Sequence, residues 1–562
     1  MIRQALGTAR DLKRMHKIAT ILIRYGFGDL VRRLGMATAL EKIGDTLRWE
    51  RAHEYAHMEP AVRFRCVLED MGPTFVKLGQ ILSTRVDLFP PEWIAEFEKL
   101  QDEVPEVDFE TLRPQIEEDL GAPPEEIFKD WQAESIAAAS IAQVYRARLE
   151  DGTAVVIKVR RPGIRTIVEA DLRLLKRLAE IAQNRLRELR RLHPVDLIYQ
   201  FSQSLRRELD LENECRNAER VAENLAHRSN ADSLPVIIPK VYWDWTCERL
   251  NVQEYMDGIT GRDLKSVEAA GLDRKKLAAG TSRALLGMII EDGFFHADPH
   301  PGNLFFFSDN RIALIDFGMV GYLSQVRREQ VIELLHGLVD KDETGVVDVL
   351  IDWAGDNTID EARLSADVGV FIQQYHDLSP QRSSLATMLA DLMALLRDHE
   401  LSLPPDLAMM FKVFVTVEGM ARQLDPSYNL FGEAEPVVRR AFINRYMPDK
   451  MLKRGKRNLM EAAHLLAALP KELRKLLQAA RSGSLTVNIE LTRLEDFANA
   501  LDRAASRLTV GLITAALIIG TAIVMTVSGG PTLIDLSFLG TAGFFGTSIG
   551  GIWILISIWR RR

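Results

Sequence analysis

His296-Ala-Asp-Pro-His-Pro-Gly-Asn303, followed by Asp316-Phe-Gly318, is the stretch that decides the fold. Its prolines and glycine predict a loop, and a loop rich in His, Asp and Asn has a polar task. Asp298 and Asn303 stand five positions apart, and Asp316 follows Asn303 by thirteen. Between them the chain reads as a hairpin: residues 304–307, a turn at Ser308-Asp-Asn310, then residues 311–317. An Asn amide oxygen and an Asp carboxylate are hard oxygen donors, which Mg²⁺ takes together with water and phosphate oxygens. Asp298, the second aspartate, suits accepting a hydroxyl proton or orienting an attacking group.

Upstream, Ile141-Ala-Gln-Val-Tyr-Arg-Ala-Arg-Leu149 alternates apolar and polar positions, Glu150-Asp-Gly-Thr153 is a turn, and residues 154–159 form a run rich in β-branched residues (Val155, Val156, Ile157 and Val159). That pattern predicts a β-hairpin. Lys158 falls late in its second strand, where burial is costly unless a carboxylate or phosphate meets the ammonium. Taken alone, a lysine at a strand end is ordinarily solvated. The order of strand lysine, Asp loop with its Asn, and Asp-Phe-Gly is that of protein kinases, with His-Ala-Asp in place of His-Arg-Asp.

The 562 residues are 47% apolar and 27% charged, enough for two or three domains with real cores. A formal charge of −8 argues against a nucleic-acid partner. Cys66, Cys215 and Cys247 are too few and too scattered for a disulfide scaffold or a zinc site, so a reducing compartment is expected. Residues 1–24 intersperse Arg3, Arg10, Lys13, Arg14 and Lys17 with apolar residues and lack a secretory h-region. They read as a basic amphipathic helix, with a mitochondrial transit peptide as the competing reading. Residues 1 to about 130 look helical, broken at Pro90-Pro91, Pro105 and Pro123-Pro124. A second helical stretch covers about 164–225, interrupted at His193-Pro194. Short strands are expected within 236–245 and 249–258, helices again from Gly271, and helix throughout after Gly321 up to a strand-like 484–491.

The far end differs. Residues 508–527 are twenty uncharged residues, enough to cross a bilayer as a helix, and a second uncharged run covers 536–559. Arg503 and Arg507 precede the first run, Arg560 to Arg562 follow the second, and residues 528–535 between them carry no Lys or Arg. The positive-inside rule places both ends in the cytoplasm. A buried core hairpin is the plainer alternative. Nine Lys and Arg between Lys450 and Arg481, against Glu461 and Glu472, read either as a solvated helix or as a surface for anionic lipid.

With these motifs in hand, the chain resembles the UbiB family of atypical, kinase-like ATPases associated with ubiquinone biosynthesis. The resemblance rests on Lys77-Leu-Gly-Gln80, Ala137-Ala-Ala-Ser140, the strand ending at Lys158, Glu208-Leu-Asp210 with Glu214, the 296–303 loop and Asp316-Phe-Gly318. It covers roughly residues 60–340 and the C-terminal hairpin. It implies that Lys158 contacts the nucleotide phosphates and pairs with Glu214, that Asp298 is the catalytic-loop aspartate, and that Asn303 and Asp316 hold Mg²⁺. Ala137, Ala138, Ala139 and Ser140 would replace a Gly-rich loop, and stiffer alanines imply altered nucleotide geometry. Lys77 and Gln80 would meet Glu208 and Asp210 over the site as regulatory residues, covering the place of a peptide substrate. No Ala-Pro-Glu follows Asp316-Phe-Gly318, so ordinary protein phosphorylation is disfavoured.

Plainer readings stand beside these. Lys77 would be a solvated lysine, and Glu208, Asp210, Glu212 and Glu214 a charged helix face on which Asp210 and Glu214 align. His296-x-Asp298-x-His300 would be a zinc cluster, although no third ligand group appears nearby. Glu254-Tyr-Met-Asp257 would be the interlobe connection to adenine, or merely a strand end.

The expected architecture is α+β: a bilobal protein-kinase-like domain with an N-terminal helical extension and a C-terminal two-helix transmembrane hairpin. The expected parts are an extension at 1–125, an N-lobe at 126–258, a helical C-lobe at 259–440, a basic juxtamembrane region at 441–507 and the hairpin at 508–559. The expected function is a Mg²⁺-dependent, ATP-hydrolysing atypical kinase supporting ubiquinone biosynthesis at the cytoplasmic face of a bacterial inner membrane. It would handle isoprenoid quinone precursors and membrane lipid, alongside other quinone-biosynthesis enzymes. A true small-molecule or protein kinase, and a non-catalytic nucleotide-binding scaffold, are the alternatives.

Overall fold

The computed structural model describes residues 9–445 except 37–54, 56–57, 101–104, 187–192, 229–235, 355–359, 377–383, 400 and 402, and beyond them only 512, 515, 516 and 519. The chain divides into a unit of residues 1–452 and a unit of 453–562. Of the second, Leu512, Ala515, Ala516 and Ile519 are helical. The rest of the proposed hairpin, the basic 450–481 stretch and the strand-like 484–491 lie outside the described residues. Among the described residues no helix is long and apolar enough to cross a membrane.

Ten short strands are described: β1 (Ala137–Ala138), β2 (Ala142–Arg148), β3 (Ala154–Arg160), β4 (Val236–Ile237), β5 (Leu250–Glu254), β6 (Ile259–Thr260), β7 (Phe294–His296), β8 (Leu304–Phe306), β9 (Ile312–Leu314) and β10 (Val320–Tyr322). The first sheet runs β1-β2-β3-β5, and every pairing in it is antiparallel. The β2–β3 hairpin forms where its sequence predicts it. Gly152 takes the left-handed φ of +89°, and Asp151 Oδ1 accepts the Thr153 N–H at 2.8 Å. Side chains alternate along β3, so Val155, Ile157 and Val159 enter one core while Lys158 takes the opposite face. A second sheet, β4-β9-β8-β6, and the pair β7–β10 support the 296–318 loops. Strand β10 interrupts the helical run expected near Gly321.

The helices relevant to the site are α1 (Ala9–Arg24), α2 (Pro60–Met71), α3 (Pro73–Leu82), α4 (Phe109–Leu120), α5 (Ile164–Arg185), α6 (Pro194–Glu208), α7 (Leu211–His227), α8 (Leu385–Asp398) and α9 (Pro405–Leu424). Pro60, Pro73, Pro194 and Pro405 open their helices, where a missing N–H costs nothing. The 164–225 stretch breaks at His193-Pro194 as expected and once more at Leu209-Asp210, because Asp210 caps α7 by accepting the Glu212 N–H.

Phe109, Leu112 and Ile116 of α4 pack with Tyr145, Ile157 and Val252 of the first sheet. Helices α5 and α6, expected within the N-lobe, bury Val168, Leu172, Phe201 and Leu205 against Ile18, Leu68, Phe75 and Leu78 of the N-terminal helices. The apolar face of α1 lies in this core, and Arg14 Nε reaches the fully buried Asp171 at 2.5 Å. A third core joins Phe295, Leu304, Leu314 and Phe317 to the C-terminal helices through Leu407 and Phe411. The first sheet thus carries Lys158, while the second sheet and the β7–β10 pair carry the 296–318 loops.

Candidate active site

Four elements carry the central cluster. The sheet alternation aims Lys158 from β3 at helix α7, where Glu214 is 6% exposed. Lys158 Nζ lies 2.8 Å from Glu214 Oε2 and 3.4 Å from Asp316 Oδ2. Desolvation opposes its charge, but Asp316, Glu214 and Glu208 outweigh it and hold the ammonium above its ordinary range. Glu214 is pushed up to about 7, first by burial, with Lys158 pulling down and Asp316 adding a push. Asp316 is desolvated by the protein around it, yet Lys158 and then Lys77 hold its carboxyl well below the usual range.

Asp316 adopts a left-handed backbone with φ +59°, a conformation aspartate tolerates better than most residues, and its Oδ1 accepts the Gly318 N–H at 3.2 Å. Phe317 anchors the triplet in the C-lobe core, and Asn217 of α7 donates to its carbonyl at 3.0 Å. The neighbouring loop is braced from within. His296 accepts the Asp298 N–H at Nδ1 and faces the Ile315 carbonyl with Nε2, which fixes the neutral Nε2–H form. His300 Nδ1 accepts the Gly302 N–H at 2.9 Å, giving that residue a role the sequence did not reveal. Both imidazoles serve the backbone, and among the described residues no group of three His, Cys, Asp or Glu is placed to hold a metal. The zinc alternative is therefore set aside.

Asn303 Nδ2 donates to the Asp298 carbonyl at 3.2 Å, leaving its amide oxygen as the open acceptor. Lys77, Ala139, Ser140, Lys158, Glu208, Glu214, Asp298, Asn303 and Asp316 line one cleft of about 90 Å³. The lining carries two lysines against four carboxylates, so a nucleotide triphosphate requires an additional cation to enter. The hard oxygens of Asn303 and Asp316 suit Mg²⁺, with phosphates and water completing its shell. Ser140 Oγ is buried without a hydrogen-bond partner, an orphan donor suited to a phosphate oxygen. The donor set fits Mg²⁺ and nucleotide.

Other expected residues land differently. Lys77 Nζ pairs with Glu208 Oε1 at 2.5 Å, joining α3 to the end of α6. Asp210 contacts neither lysine as an ion pair; it caps α7 and accepts from Asn213, because it precedes that helix rather than sharing a face with Glu214. Gln80 Nε2 donates to the Leu100 carbonyl at 3.2 Å and does not line the cleft. A Cβ on Gly79 would stand 2.1 Å from Leu100 Cδ1, so in Lys77-Leu-Gly-Gln80 the lysine serves the site while glycine and glutamine seat the helix. Ala137 and Ala138 form β1, and only Ala139 and Ser140 of the alanine segment reach the cleft. Glu254 ends β5 with its N–H given to the Lys240 carbonyl; residues 255–258 then lead into the second sheet. Lys412 of α9 was not singled out from the sequence, although a lone lysine in the apolar run 407–417 is its trace.

A strand lysine held by a helix glutamate, an aspartate loop with its asparagine, and an Asp-Phe-Gly turn around one cleft define a kinase-like protein. Residues 99–350 match the ABC1 atypical kinase-like domain, 368–429 the UbiB helical domain, and 492–560 the ABC1/UbiB kinase-like C-terminal domain. The chain is 32% identical over 527 residues to "Protein ACTIVITY OF BC1 COMPLEX KINASE 7, chloroplastic" of Arabidopsis thaliana, covering 91% of this chain and 73% of that one. It is 32% identical over 481 residues to "Probable protein kinase UbiB" of Pseudomonas aeruginosa PAO1, covering 83% and 88%. Among solved structures, the Rv3197–erythromycin complex from Mycobacterium tuberculosis aligns at 19% identity and a TM-score of 0.43, over 64% of this chain and 90% of that one. The chain belongs to the ABC1/UbiB family of atypical kinase-like proteins.

Proposed function

We propose that the chain is a Mg²⁺-dependent ATPase or atypical kinase that supports ubiquinone biosynthesis at a bacterial inner membrane. The observation that carries this reading is the convergence of Lys158, Asp298, Asn303 and Asp316 on one cleft. Lys158, held by Glu214, neutralises phosphate charge; Asn303 and Asp316 hold the metal; Asp298 orients the attacking group and takes its proton. Bound Mg²⁺ supplies charge neutralisation and phosphate orientation. Asn303 Nδ2 and His296 fix the loop so that Asp298 keeps its place.

The reading favours ATP turnover over peptide phosphorylation because α3, through Lys77 and Glu208, sits at the cleft. A space of about 90 Å³ is far below the ~300–1,000 Å³ of small-molecule pockets. Nucleotide entry thus requires the Lys77 segment and the lobes to separate, and turnover becomes a way to move them. We assign that movement to handling isoprenoid quinone precursors beside membrane lipid, in company with other quinone-biosynthesis enzymes, with the catalytic domain cytoplasmic and residues 508–559 as the anchor.

The test is ATP hydrolysis by the purified full chain on liposomes, paired with a lipid-quinone profile of cells lacking it. Turnover and quinone restoration by the native chain, both lost with Asp316→Asn, support the reading. Absence of turnover together with full quinone restoration by Asp316→Asn would overturn it in favour of a scaffold.

A further inference from the structure

The 296–303 loop contains no lysine or arginine, yet its aspartate faces a cation. Lys412 Nζ, on α9, lies 4.0 Å from Asp298 Oδ1 and donates to Ser83 Oγ at 3.0 Å. Its side chain is only 12% exposed, in a helix whose neighbours Phe411 and Val413 are core residues. An ammonium that enclosed is costly unless anions or acceptors surround it. Those present are Asp298, Ser83 and Glu98, whose carboxyl burial pushes up while Lys412 pulls it down and Asp298 adds a push. The other cleft carboxylates have different lysines: Glu208 has Lys77, and Glu214 and Asp316 share Lys158.

Ser83 immediately follows α3, the helix that carries Lys77. A second cation from the same helical region, Arg397 of α8, donates to the Val86 carbonyl at 2.9 Å. The segment 83–86 is therefore held by α8 and α9, and one of its two ties ends beside Asp298.

Building on the nucleotide-turnover reading above, we propose that Lys412 is a positioning residue for Asp298, and that its bond to Ser83 makes this positioning depend on whether the Lys77-bearing helix is seated. Seated, Ser83 shares the ammonium with Asp298. Displaced, Ser83 withdraws and the ammonium turns wholly to the aspartate, fixing its carboxylate for the attacking group. Lys412 thus couples the helical region to the catalytic loop without lining the cleft itself.

The experiment uses the full chain on anionic phosphatidylglycerol vesicles and measures kcat, KM for ATP, affinity for a non-hydrolysable ATP analogue, and amide exchange of residues 74–86. Lys412→Met is expected to lower kcat about 100-fold with analogue affinity within about twofold, and Lys412→Arg to restore most of kcat. Ser83→Ala is expected to speed exchange across 74–86, and to leave the kcat of Lys412→Met unchanged when combined with it. Lys412→Met with native kcat, or a loss that Lys412→Arg does not rescue, would overturn the proposal. If Lys412→Met does not fold, exchange and kcat in Ser83→Ala decide: both unchanged overturns it. A native chain without ATP turnover would sink the underlying reading and this one with it, whereas native turnover with an indifferent Lys412→Met sinks this one alone.

Discussion

Lys77 on α3 meets Glu208 at the end of α6 across 2.5 Å, and both side chains are largely enclosed, at 12% and 15% exposure. The pair joins the N-terminal extension to the segment that leads into the Glu214 helix. It stands at a cleft too small for a nucleotide. Breaking it should therefore affect access before it affects chemistry.

Lys77→Met should cost about 1–3 kcal/mol of stability, since it removes a largely enclosed ion pair with Glu208. It should also speed nucleotide association several-fold, because the helix no longer holds the cleft shut. Stopped-flow binding of a fluorescent ATP analogue reads the second effect and chemical denaturation the first. Unchanged association would show that α3 does not gate the site.

Asp316→Asn keeps the shape of the side chain and suits the left-handed backbone, and Lys158 retains Glu214. The fold should persist with little change in Tm. The metal site loses its only carboxylate of the proposed pair, so Mg²⁺-dependent nucleotide affinity should fall about tenfold to a hundredfold. Titration at varied Mg²⁺ measures it.

His296 predicts an acid-sensitive loop. Burial holds its imidazole below the ordinary value of about 6.5, against the pull of Asp298. Its neutral form accepts the Asp298 N–H, which the protonated ring cannot do. A base with a depressed folded value stabilises the protein above the unfolded value and loses that contribution as pH falls through the folded one. Thermal unfolding should thus show stability declining as pH drops below about 6.5, with a shallower decline in His296→Gln.

Gly79→Ala should destabilise by about 1–3 kcal/mol through overpacking, since the new Cβ meets Leu100 and Leu68 of the extension core. Its Tm should fall while purified, folded protein still binds nucleotide. Loss of binding with an unchanged Tm would contradict the packing role given to this glycine.

Much of the site was legible because its residues sit in local patterns. The turn at Glu150 to Thr153 and the alternation around it placed Lys158 on its strand, and the prolines and glycine of 296–303 marked a loop. Tertiary choices were not legible. Asp210 shares helical spacing with Glu214, yet capping places it outside the helix. The Ile164 to Glu208 helices are amphipathic toward either neighbour, and only packing reveals that they join the N-terminal core. Lys412 meets both Asp298 and Ser83, which come from elements far apart in the chain, and no spacing encodes that.

The central claim is that Lys158, Asn303 and Asp316 receive one nucleotide with its metal. Equilibrium titration of the full chain with ATP, with and without Mg²⁺, tests it most directly. The account predicts saturable binding that needs Mg²⁺ and collapses in both Lys158→Ala and Asp316→Asn. Binding that ignores Mg²⁺ and survives both substitutions would contradict it.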